Sequence, residues 1–222
     1  MNTSVPWNFL PHGWRLAAAA VSLTLVCGCA ALGPVISPQP NLVYSLAEAR
    51  DTPMPALAHA ALTAPTLIVS PPHAAAGFDS PRMLYLRQAD QIEHFAHSEW
   101  IDTPARMLAP RIVSAVESSG AFRAVVQTPS AAAGEMRLNT EILRLQHEFL
   151  SAPSRVRFTL RAYLVESETR RVIASRVFDA AVPAASEDAY GGVAAANRAV
   201  QTVLESLSAF CAAAAGSAPM EK

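Results

Sequence analysis

The chain has 222 residues, a formal net charge of −1 at pH 7 and a hydrophobic fraction of 51%. A charge this close to zero argues against an electrostatic nucleic-acid binder, which carries a basic patch. Lys222 is the sole lysine, so arginine supplies nearly all the positive charge. The length fits one domain with a real core.

The N-terminal region holds the clearest chemical signal. An apolar run, Leu16–Val26, follows Arg15 and ends in Cys27-Gly28-Cys29. The run has the length of a signal-peptide core and is too short to span a bilayer, which takes roughly 20 residues. The small Gly28 directly before Cys29 resembles the lipobox of bacterial lipoproteins. That resemblance implies that residues 1–28 are removed and that Cys29 is acylated.

Two alternatives stand beside this interpretation. Cys27 is a second possible acceptor, but Val26 before it does not meet the need for a small residue. A plain signal peptide cleaved nearby is the other alternative. If Cys29 is acylated, Cys211 is the only cysteine left, and no intrachain disulfide can form. Ala30 follows Cys29 in place of the Asp that retains many lipoproteins at the inner membrane, which favours the outer membrane, facing the periplasm.

The proline-punctuated residues 29–40 are predicted to be a tether, and the domain is expected over 41–214 with a tail at 215–222. Residues 47–65 are broken by prolines and are predicted to form a connection. Eight stretches have the composition of strands, rich in β-branched and apolar residues between turn formers. They are Asn41–Leu46, Thr66–Ser70, Met83–Arg87, Gln91–Phe95, Phe122–Gln127, Met136–Phe149, Arg155–Glu166 and Arg171–Val182.

Two helices complete the pattern. The first is predicted after the loop His97–Asp102, with Thr103 as N-cap, Pro104 at the first helical position and Gly120 at the C-terminal end. The second begins after Asp188, where apolar residues recur at spacings of three and four. Apolar and polar residues alternate through Arg155–Glu166, which indicates a sheet with one covered face. The sequence therefore predicts a single layered α/β domain with a mixed or antiparallel sheet and two main helices.

The order of these motifs resembles the ABC-type transport auxiliary lipoprotein family, which includes the lipoprotein of the paraquat-inducible, mammalian-cell-entry-type intermembrane transport systems. The resemblance covers essentially the whole mature chain. It is carried by the lipobox at Cys29 and then by a series of short motifs: Tyr44-Ser-Leu46, Leu67-Ile-Val69, Ser80-Pro-Arg-Met-Leu-Tyr-Leu86, His97-Ser-Glu-Trp100, Ser118-Ser-Gly-Ala-Phe122 and Ala194-Ala-Ala-Asn-Arg-Ala199.

The resemblance implies an accessory, non-enzymatic role and an anticodon-binding-domain-like fold. Its implied partners are an ABC permease, an ATPase and a mammalian-cell-entry-type substrate-binding protein, which together move lipids or other hydrophobic molecules. A homo-oligomer is a further family-level expectation. An envelope scaffold lipoprotein that serves no transporter is the alternative function, and a periplasmic enzyme is a third.

Catalytic and metal-binding motifs are absent from the mature sequence, and no cofactor is expected. His94 and His97 are three residues apart, so on a strand they point to opposite faces and do not converge on one ion. Cys211 is expected to be a small core residue. Trp100 and Tyr85 are candidate partner-binding residues, since aromatic residues are enriched at interface hot spots. For Trp100, the alternative is a core position beneath the first helix.

A last sequence feature is the arginine stripe on the Arg155–Glu166 strand, at Arg155, Arg157 and Arg161. We expect it to form a solvated or partner-facing strand face, because it is too sparse to indicate phosphate binding.

Overall fold

The structure, a computed structural model, describes residues 40–46 and 61–217. The predicted signal peptide, Cys29, nearly all of the tether, most of the connection at 47–65 and the last five residues lie outside these ranges. The described residues belong to one compact unit that starts at Pro40.

Nine strands and two helices are present in the described residues. In chain order they are β1 Leu42–Tyr44, β2 Thr66–Val69, β3 His73–Ala74, β4 Arg82–Leu86, β5 Ile92–Trp100, α1 Pro104–Glu117, β6 Ala124–Gln127, β7 Met136–Glu148, β8 Arg155–Glu166, β9 Val172–Pro183 and α2 Ala189–Ser217. The fold class is the predicted one, a mixed α/β domain with one sheet and two helices. Helix α2 extends three residues past the predicted end of the domain at 214.

The sheet is organised around β7. One edge of β7 pairs along its length with β8 in antiparallel fashion, and β8 pairs with β9. The other edge of β7 pairs in succession with β2, β3 and β4, all parallel. Beyond these, β6 joins β2, and β5 and then β1 extend the sheet from β4. β1 and β9 are therefore edge strands on opposite sides.

Alternation along β7 and β8 separates a core face from a polar face. Leu138, Ile142, Phe158 and Leu160 are fully buried on the core face, where α2 packs on β8 and β9. Burying such side chains stabilises the fold by about 1.5–3 kcal/mol each. By length and composition α2 can cross a membrane over Ala189–Gly216, but its buried side packs on this sheet, so it is the core helix of the domain.

The two helices are joined to each other by packing and by polar contacts. Arg111 of α1 is buried and donates from Nη1 to Asn197 Oδ1 of α2 at 3.2 Å. Ser208 Oγ of α2 donates to the carbonyl of Ala115 at 2.7 Å. These bonds satisfy polar groups at the helix interface that would otherwise be costly to bury.

Several predicted boundaries are wrong. The predicted loop over His97–Trp100 is the second half of β5, because Ser98–Trp100 pair in parallel with Leu42–Tyr44. β3 lies in a predicted loop, where His73 and Ala74 find partners on β7.

The N-terminal end of α1 is the predicted one, with Thr103 at the N-cap and Pro104 as the first helical residue, while its C-terminal end comes earlier than predicted. Thr103 is at the N-cap position but forms no side-chain capping bond, and Ser118 is the C-cap. Gly120 follows the end of α1 with φ +64, which suits glycine.

Candidate functional site

A concentrated group of titratable and polar side chains lies where α2 begins, around His147 on β7. The imidazole is 4% exposed, and its Nε2 is 2.8 Å from Ser154 Oγ. Phe149 lies against the ring with a centroid separation of 4.1 Å. Gly192 of α2 comes so close to the ring that a Cβ there would be 2.7 Å from Nδ1. The glycine therefore lets the helix approach the ring.

Two carboxylates complete this group. Glu187 Oε1 accepts from the backbone N–H of Ser154 at 2.9 Å. Asp188 caps the start of α2 by accepting from the N–H of Gly191 at 2.7 Å, and it also accepts from Ser186 Oγ. These hydrogen bonds lower the pKa of both carboxyl groups. Burial lowers the pKa of His147, and the nearby charges of Glu187 and Asp188 oppose that effect in part.

The contact between His147 and Ser154 has the form of a base–nucleophile pair, but the surroundings do not fit catalysis. Ser154 is fully buried, so substrate cannot reach its hydroxyl. A triad also needs a carboxylate on the second nitrogen of the imidazole. Here Glu187 binds Ser154 instead, and His147 Nδ1 has no hydrogen-bond partner. The group holds the start of α2 against β7 and the β7–β8 connection.

A small cavity adjoins this group. Its volume is about 20 Å³, with walls formed by residues that include Met83, Phe95, Trp100, His147 and Gly192. A space of this size holds about one water molecule. It does not accommodate a lipid, a cofactor or an organic substrate.

Both aromatic residues predicted to bind a partner are buried in this chain. Trp100 is 5% exposed at the end of β5, which is the core position given as its alternative. Tyr85 is 8% exposed, with its ring centroid 4.8 Å from that of Phe95. The Tyr85 hydroxyl donates to Glu93 Oε2 at 2.9 Å. The pKa of Tyr85 is raised, mainly because the hydroxyl is buried and also because of this hydrogen bond. Their role toward a partner stays a prediction.

The arginine stripe lies on the polar face of the sheet. Arg157 donates from Nε to Glu148 Oε1 at 3.0 Å and from Nη1 to Asp179 Oδ2 at 2.7 Å. Arg161 donates to Glu141 Oε2 at 3.1 Å. These two arginines bridge neighbouring strands and are neutralised by carboxylates. Arg155 is exposed and contacts Ser151 Oγ at 3.3 Å.

The remaining candidates are placed as follows. His94 and His97 both lie exposed on β5. Within the described ranges no group of three or more His, Cys, Asp and Glu side chains is arranged to hold a metal ion. Cys211 is fully buried, and burial raises the pKa of its thiol to about 12. A thiol in that state is a core residue rather than a nucleophile.

Sequence reasoning missed the group around His147. Its members are brought together from β7, the following connection and the start of α2. The signal that was present is the pair Gly191-Gly192 inside a helical pattern, since glycine in a helix marks a close approach of another element.

Fold and site together define a mixed α/β domain whose described polar side chains support its packing. The model of the ABC-type transport auxiliary lipoprotein component family matches residues 44–208. The chain belongs to this family, and is accordingly a membrane-anchored envelope protein that serves as an auxiliary transport component.

Solved structures agree with the fold. The protein XCC0632 of Xanthomonas campestris, of the DUF330 family, is 24% identical, with a TM-score of 0.65 over 78% of this chain and 96% of its own. A second, uncharacterised protein is 10% identical, with a TM-score of 0.60 over 78% of this chain and 99% of its own. No curated protein sequence matches this chain.

Proposed function

We propose that this protein is the periplasmic auxiliary subunit of a mammalian-cell-entry-linked ABC transport system that moves lipids or other hydrophobic molecules across the envelope. The observation that carries the proposal is the family match over residues 44–208 behind a lipobox at Cys29. In this role acylated Cys29 holds the domain at the outer membrane. Two or more acyl chains give stable anchoring, at about 0.8 kcal/mol per buried CH₂.

The role is one of attachment and assembly rather than chemistry. The His147–Ser154 pair supports this view, because its serine is fully buried and its carboxylate is on the wrong partner. The cavity beside it, about 20 Å³, is too small for a lipid. The proposal assigns transport itself to the partner proteins, with this domain supplying a surface for them.

The partners of this surface are the permease, the ATPase and the mammalian-cell-entry-type substrate-binding protein of the same system. Affinity purification of the tagged full-length protein from native envelopes, followed by mass spectrometry, tests this set. We expect these three proteins to be recovered. Recovery of outer-membrane assembly or cell-wall machinery in their place would contradict the proposal and favour the envelope scaffold.

A matched pair of variants separates anchoring from association. Cys27→Ala leaves Gly28 and Cys29 in place, so it should recover the same partners as the wild type. Cys29→Ala removes the acceptor and should lose the partners that are reached only at the membrane. If both variants behave like the wild type, the anchor contributes nothing to the association.

A further inference from the structure

Exposed apolar side chains gather at the edge of the sheet where the chain enters the domain. Leu42 and Val43 of β1 are 51% and 53% exposed, and Ile101 is 67% exposed. The N–H of Ile101 donates to the carbonyl of Tyr44 at 2.7 Å, which places Ile101 beside β1. The six other large apolar side chains that are exposed in the described residues are spread over five separate elements and loops.

The sequence sets how far this edge can lie from the lipid anchor. Ten residues lie between Cys29 and Pro40, where the described part of the chain begins, so eleven residue steps join the two. At full extension they reach about 40 Å. β1, which begins two residues further on at Leu42, is therefore the first described element after the anchor and stays within about 47 Å of it.

The acidic residues near this edge have basic residues as neighbours. Asp102 pairs with Arg106 at 3.2 Å, and Glu99 lies opposite Arg82 in the β4–β5 register. Tyr44, half-buried on the same strand, adds an aromatic residue of the kind enriched at membrane interfaces.

We propose that the β1 edge, defined by Leu42, Val43 and Ile101, rests on the surface of the bilayer that holds acylated Cys29. This inference rests on the proposed lipid anchor. Leu42 and Val43 are consecutive on β1 and point to opposite faces of the sheet, so the domain meets the bilayer edge-on. Their side chains lie at the headgroup boundary, where water still satisfies the open backbone edge of β1. It fixes which side of the domain faces the membrane and turns the opposite edge, β9, toward the periplasm and the partner proteins.

Thiol labelling tests this orientation with a matched pair of valines. Val43→Cys and Val172→Cys replace residues that are each 53% exposed, on β1 and β9. The two strands are opposite edges, five strand spacings apart, or about 24 Å. The engineered thiol is the only reactive one, because Cys29 is acylated and Cys211 is fully buried.

The acylated variants are added to preformed vesicles of phosphatidylethanolamine and phosphatidylglycerol and treated with a membrane-impermeant maleimide. If the β1 edge is docked for about nine-tenths of the time, Val43→Cys reacts about tenfold more slowly than Val172→Cys. The same variants expressed from Ala30 onward, which lack Cys27 and Cys29 and are free in solution, should react at equal rates. Circular dichroism confirms that each variant is folded.

Every other outcome overturns the inference, and each one points to a different reason. Equal rates on vesicles mean that the anchored domain does not rest on β1. Two results would mean that a second copy of the chain covers the edge. One is slow labelling of Val43→Cys in solution as well as on vesicles. The other is a slow rate on vesicles that rises to the Val172→Cys rate when the protein is diluted in lipid. If the mature protein carries no acyl group and does not bind vesicles, the anchor of the proposed function fails, and this inference fails with it.

Discussion

Replacing Gly192 with alanine tests whether the start of α2 is docked on His147. The added Cβ would lie 2.7 Å from His147 Nδ1 and 3.2 Å from Cε1, both closer than ordinary van der Waals contact. The ring cannot move away cheaply, because Ser154 Oγ and Phe149 hold it in place. Overpacking of this kind costs about 1–3 kcal/mol.

The cost is partly offset by helix propensity, since Gly→Ala in a helix gains up to about 1 kcal/mol. Gly216 in the last turn of α2 provides the control, because a Cβ there meets nothing within 4 Å. Gly216→Ala therefore gains propensity without a clash. We expect the free energy of unfolding of Gly192→Ala to fall below that of Gly216→Ala by about 1–3 kcal/mol.

Urea unfolding followed by circular dichroism measures both values. His147→Ala in the Gly192→Ala background removes the clashing ring, so the double variant should lose less stability than the sum of the two single changes. A Gly192→Ala protein as stable as Gly216→Ala would refute the docking of α2 against His147.

Two further predictions concern buried polar groups. Because the pKa of His147 is held below the 6.5 of the unfolded chain, the unfolded state takes up the proton first, and stability is lost as the pH falls below about 6.5. The urea midpoint should therefore be lower at about pH 5 than at about pH 7.5. His147→Gln should reduce this difference. An unchanged difference in the variant would mean that other groups cause it. Arg157→Met leaves the carboxylate of Glu148, whose side chain is 10% exposed, without its cation and should cost about 1–3 kcal/mol. Arg157→Lys should recover part of this loss, and an Arg157→Met protein of wild-type stability would show that the pair contributes nothing.

The central strands were predictable because their side chains alternate against a covered face. In β8, Val156, Phe158 and Leu160 are buried on the helix side, and Arg157 and Arg161 lie on the polar side, as the sequence pattern requires. The predicted bounds of β8 match the observed ones because turns flank this strand on both sides.

What could not be predicted depends on partners that are distant in sequence. β3 is two residues long and exists because it meets β7 at Glu141 and Ile142. The end of β5 is a strand because it adds β1, which lies more than fifty residues earlier in the chain. A polar local sequence such as His97-Ser-Glu carries no sign of such pairing.

The candidate site shows the same limit, because its contacts depend on residues that are distant in sequence. The sequence predicts that Trp100 and Tyr85 bind a partner, but their burial depends on how β4, β5 and β7 assemble. The Ser154 contact of His147 joins residues across a connection, and Glu187 reaches Ser154 from 33 positions away. Residue spacing alone does not reveal such contacts.

The N-terminal mass of the protein purified from membranes tests the central claim, a lipid-anchored auxiliary subunit, most directly. The account predicts a chain that begins at Cys29 and carries fatty acyl groups, in the wild type and in Cys27→Ala alike, and no such modification in Cys29→Ala. An unmodified N-terminus in the wild type, or acylation at Cys27 in Cys29→Ala, would contradict it.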